Sequence, residues 1–469
     1  MTPPPPASSP LVRVADSLLA GPVLSEALAQ SSVLDTLDLT GPAAVRPFVV
    51  RGLVERGRTV LVVTATSRDA EDLVEELSDL VDPALVAHYP SWETLPHERL
   101  SPRSDTVGRR LAVLRRLKHP GDDDTTGPLR VVVAPIRSVL QPQVKGLADI
   151  EPVELAPGDA HALEDVVQGL AAAAYSRVDM VEKRGEFAVR GGIVDVFPPT
   201  EEHPLRVEFW GDEVEEIRSF AVADQRTHEQ VERLWAPPCR ELLLTDDVRR
   251  RAAELGEAHP QLLELTDKVA AGIAVEGMEA LAPVLVEEME LLVDLMPADT
   301  TVLVLDPERA RSRAHDLVAT SEEFLGASWA AAAGGGTAPI DLGAASYREV
   351  ADVRSHALGL GMAWWSVSPF GIGHSGIDTD DLPADLAADG VPSRALTAQP
   401  AEAYRGDLEK AISDIRGWLD QGLDVTVVHA GHGPAQRFVE LLADHDVAAR
   451  LVEEGASAEG VVTVTCGSL

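Results

Sequence analysis

Residues 175–220 read Y-S-R-V-D-M-V-E-K-R-G-E-F-A-V-R-G-G-I-V-D-V-F-P-P-T-E-E-H-P-L-R-V-E-F-W-G-D-E-V-E-E-I-R-S-F. Phe187, Val189, Ile193 and Phe197 share one parity, which sends their side chains to one face of a strand. Pro198-Pro199 ends that strand, because neither proline can donate to a ladder. Leu205–Trp210 is a second strand, and Gly211-Asp212 is a tight turn into a third at Val214–Phe220. The expected unit is a small antiparallel meander. Gly191-Gly192 leaves backbone uncovered in the first strand, a place for a bulge or for close approach by another surface.

Outward from the meander, the pattern changes to alternating apolar strands and helices. Leu37–Thr40 leads through G-P-A-A-V-R-P (41–47) into a helix ending near Arg56. Thr59–Thr64 (T-V-L-V-V-T) is a buried strand and Asp69–Leu80 an amphipathic helix. Val131–Ala134 and Thr301–Asp306 (T-V-L-V-L-D) are further buried strands. Strand–loop–helix–strand order is what a doubly wound nucleotide-binding fold requires.

The phosphate-binding chemistry is missing from that frame. A P-loop needs several glycines and a Lys-Ser or Lys-Thr pair, so that backbone amides and an ammonium meet the phosphates. The corresponding loop offers one glycine, Gly41, two prolines and no lysine, with Arg46 as the nearest cation. The strand ending at Asp306 is followed by Pro307, where metal-assisted hydrolysis would want a second carboxylate. The expectation is a degenerate nucleotide loop without cofactor.

Arg99–Lys118 is the one locally basic run, with seven basic residues against Asp105 alone. Val107, Leu111, Leu114 and Leu117 form an inward stripe at helical spacing, which turns Arg109, Arg115, Arg116 and Lys118 outward. Ion pairing with this acidic chain is the plainer reading, and contact with nucleic acid or another domain the sharper one. The 469 residues carry 40 basic and 77 acidic side chains, a formal charge of −37, which repels a duplex phosphate backbone. The two cysteines, Cys239 and Cys466, have no metal-type spacing and read as reduced thiols. No apolar run reaches membrane-span length, so a cytoplasmic chain without membrane contact is expected.

The run R-V-D-M-V-E-K-R-G-E-F-A-V-R-G-G-I-V-D-V-F-P, then R-V-E-F-W-G-D-E-V-E-E-I-R-S-F and Gln225-Arg226-Thr227, resembles the UvrB-homology region of bacterial transcription-repair coupling factors. The likeness implies an α/β fold: a degenerate P-loop NTPase-like (UvrB-like) domain, an inserted antiparallel β-meander domain and a separate C-terminal small α/β domain. Its divisions would be 1–25 (disordered leader), 26–150, 151–233 (meander), 234–347 and 348–469. In that family the meander recruits the repair protein UvrA. By resemblance, Arg177, Glu186, Phe187, Arg190 and Phe197 are the candidate contact residues. For the two arginines, internal pairing with Asp179, Glu186 or Asp195 is the competing reading. The family's RNA polymerase and DNA partners, and its ATP- and magnesium-dependent motor, would belong to a longer parent that this segment would restrain. The alternative is a self-standing UvrB-type ATPase or damage binder. Against it stand the missing P-loop lysine and the absence of an aromatic cluster near Tyr89 and Trp92 that could stack on bases.

Overall fold

A computed structural model describes residues 10–95, 100–121, 128–333, 347–370, 391–453 and 460–468. In chain order its first strands are β1 (Thr36–Thr40), β2 (Thr59–Thr64), β3 (Val86–His88) and β4 (Val131–Pro135). Short strands β5 (Gln143–Val144) and β6 (Val153–Leu155) lead into β7 (Ser176–Arg177), β8 (Glu186–Arg190) and β9 (Ile193–Val196). Then follow β10 (Leu205–Trp210), β11 (Glu213–Phe220), β12 (Thr227–Gln230) and β13 (Leu234–Ala236). The remaining strands are β14 (Met289–Glu290), β15 (Thr300–Leu305), β16 (Ala363–Ser368), β17 (Ser393–Ala395), β18 (Thr426–His429), β19 (Ala449–Leu451) and β20 (Val462–Cys466).

Seven strands form a parallel sheet in the order β17-β1-β16-β15-β2-β4-β3. β2, β4, β15 and β16 are buried at every position, as a parallel sheet covered on both faces requires. One face packs on the helices Pro10–Leu19, Pro22–Ala29, Arg46–Glu55 and Ser67–Ser78, through Leu28, Leu53, Leu73 and Leu77. The other packs on Ser104–Lys118, Ile136–Leu140, Pro307–Ala333 and Val350–Gly359, through Leu111, Leu114, Val139 and Val353. The helix at Ser67 is fixed at its start by the Thr66 hydroxyl, which accepts from the Asp69 amide at 3.2 Å and donates to its carboxylate at 2.7 Å.

Three sequence expectations are corrected. The expected leader (1–25) already contains the helix Pro10–Leu19, whose Leu11 and Ala15 are buried against the large sheet; residues 1–9 lie outside the described residues. The unit expected to begin at 348 instead supplies β16 to the middle of the large sheet and β17 to its edge. Pairing overrides sequence position here: β16 runs register-matched between β1 and β15, and Trp365 is wholly buried. The separate C-terminal unit is therefore smaller, a parallel sheet in the order β18-β20-β19 with the helices Leu408–Asp420 and His432–Asp444. Thirdly, Gly191-Gly192 is a chain reversal and not a mid-strand bulge: β8 and β9 are antiparallel neighbours on either side of it.

The meander is a six-stranded sheet, β12-β11-β10-β9-β8-β7, antiparallel except for the β7–β8 pair. β6 and β13, which enter and leave it, pair with each other. After it, residues 242–289 close a small helical core of their own around Val248, Ala252, Val269 and Leu285. Among the described residues no helix is long and apolar enough to cross a membrane.

Candidate functional site

The two faces of the meander differ in chemistry. Phe187, Val189, Val194, Val196, Leu205, Val207, Phe209, Val214 and Ile217 form an apolar face against Val166 and Leu170 of the helix Leu163–Ala172. Alternation turns Arg190, Asp195, Arg206, Glu208, Trp210 and Arg218 to the opposite face. There Arg206 forks onto Asp195 at 2.7 and 2.9 Å, and its guanidinium lies 4.8 Å from the Phe220 ring centre. The Asp195 contact raises the Arg206 pKa further, so the pair holds its charge. Arg218 pairs with Glu216 on the neighbouring row.

The candidate contact residues separate into two groups. Arg177 and Arg190 are exposed. Arg190 donates to the Asp179 carbonyl oxygen at 2.9 Å, while among the described residues the Arg177 side chain makes no hydrogen bond or ion pair. Of the three acids that could neutralise them, Glu186 and Asp195 are otherwise engaged, and Asp179 contributes only its backbone carbonyl. Asp195 holds Arg206, and the Glu186 carboxylate accepts from the amides of Glu182 and Lys183 at 2.8 and 2.9 Å. Phe187 and Phe197, by contrast, are 1% and 7% exposed. Phe187 faces the sheet's own core, and Phe197 packs with Val181, Ala188 and Phe220 under the Arg184 guanidinium. Neither ring is exposed, and the chain reversal at Gly191-Gly192 puts Phe197 on the face opposite Phe187 although the two share one sequence parity. The exposed aromatic is Trp210, 79% exposed beside the β10–β11 turn. Its alternation with buried Phe209 was available in the sequence, but the loss of covering neighbours was not.

The basic run forms the helix Ser104–Lys118, with Val107, Leu111 and Leu114 inward. Its outward cations are taken up within the chain. Arg109 pairs with Asp105 at 3.4 Å, Lys118 with Asp149 at 3.6 Å, Arg115 donates to the Ile150 carbonyl at 3.2 Å, and Arg116 to that of Ala84. The His119 contact, more than Lys118, holds the Asp149 carboxyl below its ordinary range. Arg110, on the same helix, is fully buried against Glu241 just beyond the meander.

At the carboxyl edge of the large sheet, the loop after β1 meets the end of β15. The Gly41 amide donates to the Ser368 carbonyl at 3.0 Å, so this backbone donor is already occupied. Arg46 is ion-paired with Asp306, which also holds Arg309 at 3.3 Å; Arg309 reaches Asp69 at 3.3 Å. The cleft over this cluster, about 420 Å³, is lined further by Asp72 and Glu76. Its one loop cation is neutralised and its walls are acidic, the reverse of a phosphate cradle. Among the described residues, no group of His, Cys, Asp and Glu is placed to hold a metal ion.

Glu76 in this cleft supplies a pH-dependent prediction. Burial raises its carboxyl pKa above the ordinary value, against the pull of Arg46. A carboxyl raised on folding binds its proton more readily in the folded state, so stability falls as pH rises from the unfolded value through the folded one. Glu76→Gln is expected to raise Tm at pH 7, with the gain shrinking towards zero near pH 4, where the unfolded carboxyl is also largely protonated. Thermal melts of both proteins at the two pH values check this; equal Tm values at pH 7 would contradict it.

Comparison with known proteins fits this division of the molecule. Residues 153–242 match the family described as the UvrB interaction domain, a span from β6 to just past β13. The chain is 44% identical over 490 aligned positions to the transcription-repair-coupling factors of Mycobacterium bovis and Mycobacterium tuberculosis. That alignment covers 100% of the chain and 38% of each relative. The chain is homologous to the N-terminal region of transcription-repair-coupling factors. A more distant coupling factor, from Haemophilus influenzae, is 30% identical over 263 residues, covering 54% of this chain and 22% of that protein. The chain thus spans 38% of the length of its Mycobacterium relatives, and the match to the UvrB interaction domain falls on the meander.

Proposed function

We propose that this chain is the adaptor segment of a transcription-repair coupling factor. Its antiparallel sheet docks UvrA, and its parallel-sheet domain serves as a scaffold that does not hydrolyse nucleotide. RNA polymerase and DNA would be engaged by other parts of a longer protein, whose motor this segment would also restrain. The observation that carries the reading is a sheet matching the UvrB interaction domain on which Arg177 and Arg190 are exposed, while Glu186 and Asp195 are bonded elsewhere. Arginines in such a setting suit a partner's carboxylates, through bidentate charge-assisted hydrogen bonds.

The scaffold part of the reading is supported by the Arg46–Asp306–Arg309–Asp69 cluster. A triphosphate entering there would have to break these pairs and meet the carboxylates of Asp69, Asp72 and Glu76. Purified chain immobilised on a matrix is expected to retain purified UvrA and to turn over ATP no faster than buffer. UvrA in the flow-through, or measurable turnover, would overturn the respective half of this reading.

A further inference from the structure

The least covered large apolar side chain in the meander is Trp210, and the structure explains why it stays bare. On the outward face, Arg190 lies opposite Ile193 and Ile193 opposite Glu208, so three adjacent strands share one row. Trp210 stands two residues further along β10, opposite Glu213 of β11. On its other side the chain is at the Gly191-Gly192 reversal, where no side chain exists to cover an indole. Gly191 has φ of +63° and open space where a Cβ would stand. At Gly192 a Cβ would meet the Phe209 carbonyl oxygen at 2.9 Å, and the Phe209 amide donates to the Gly192 carbonyl at 2.8 Å. Close backbone approach thus demands glycine next to Trp210, and glycine leaves that side of the ring uncovered.

The neighbours of Trp210 on the outward face are acidic: Glu213 opposite it and Glu208 two residues before it. Glu213 is exposed and, among the described residues, its carboxylate has no ion pair. The Glu208 charge bears on Arg206, which Asp195 already holds. A π face next to two carboxylates attracts a cation, and a guanidinium suits it best because it stacks and pairs at once. We propose that Trp210, Glu208 and Glu213 form a receptor for an arginine or lysine side chain of the protein that docks on this sheet. Trp210 and Arg190 then read opposite charges on one partner, which fixes its orientation on the sheet. This receptor rests on the UvrA-docking reading above.

The test measures UvrA affinity by titration calorimetry with the unmodified chain and surface variants, circular dichroism confirming the fold of each. Trp210→Ala is expected to weaken binding at least tenfold, as loss of a central aromatic anchor does. Trp210→Phe, which keeps a π face, should recover most of that affinity, whereas Trp210→Leu should not. Glu208→Gln with Glu213→Gln should weaken binding several-fold and flatten its salt dependence. Full affinity in Trp210→Ala, or equal affinity for the Leu and Phe variants, would overturn the receptor while leaving UvrA docking intact. No binding by the unmodified chain would overturn the docking reading, and the receptor with it.

Discussion

Replacing Arg110 by alanine is expected to cost about 3–5 kcal/mol of stability, the usual penalty for removing one member of a buried ion pair. Arg110 and Glu241 are 0% and 2% exposed. The guanidinium meets Glu241 at 2.5 Å and the Pro90 carbonyl at 3.0 Å, and lies 4.3 Å from the centre of the Tyr89 ring. Glu241 also accepts from the Trp92 indole at 3.0 Å. Desolvation works against the Arg110 charge, but Glu241 and its neighbours more than offset it, and its pKa is raised overall. Once the arginine is gone, a carboxylate remains buried with one indole donor. Removing both charges, as Arg110→Met with Glu241→Leu, should recover much of the loss, because similar-sized apolar groups need no partner. Urea denaturation of the three proteins checks this; a single substitution costing under about 1 kcal/mol would contradict it.

The same pair links the two halves of the account. Arg110 belongs to the helix that covers the large sheet, and Glu241 lies shortly after β13, the strand that leads out of the meander. Alongside it, Ser104 donates to the Arg184 carbonyl at 3.1 Å. Gly108 abuts Pro199 so closely that a Cβ would fall 2.3 Å from the proline ring. The helix Ser104–Lys118 thus joins the meander to the parallel-sheet domain through Ser104, Gly108 and Arg110.

Arg190→Glu is expected to weaken UvrA binding about a hundredfold, some 2.7 kcal/mol, with the fold unchanged. Two effects add: an exposed cation is lost, and an anion is placed where the partner is expected to present carboxylates. The folded chain tolerates the change because Arg190 bonds only the Asp179 carbonyl at the surface. Calorimetric titration with circular dichroism as control checks it; affinity within threefold of the unmodified chain would contradict the placement of the contact.

The parts legible in the sequence were those where one local rule dominates. T-V-L-V-V-T and T-V-L-V-L-D are so apolar that a strand buried on both faces is the plain reading, and both lie inside the parallel sheet. The Gly211-Asp212 hairpin was equally plain, with Gly211 at a φ of +66°. Gly191-Gly192 was harder, since paired glycines serve a bulge or a reversal and only the partner strands decide. That one choice set the facing of Phe197, which an unbroken strand would put on the face of Phe187 and the reversal puts on the other. The span from 348 failed for a different reason: pairing of β16 with β1 joins residues more than 300 apart in sequence, a contact no local periodicity records. Arg110 was hidden among six other basic residues of its run, and only the position of Glu241 separates it from them.

Hydrogen exchange of the chain, alone and saturated with UvrA, tests the docking face most directly. Slowed exchange is expected at residues 176–177 and 186–213, with rates around Gly41, Arg46 and Asp306 unchanged. Protection centred on the parallel-sheet domain, or none anywhere, would contradict it.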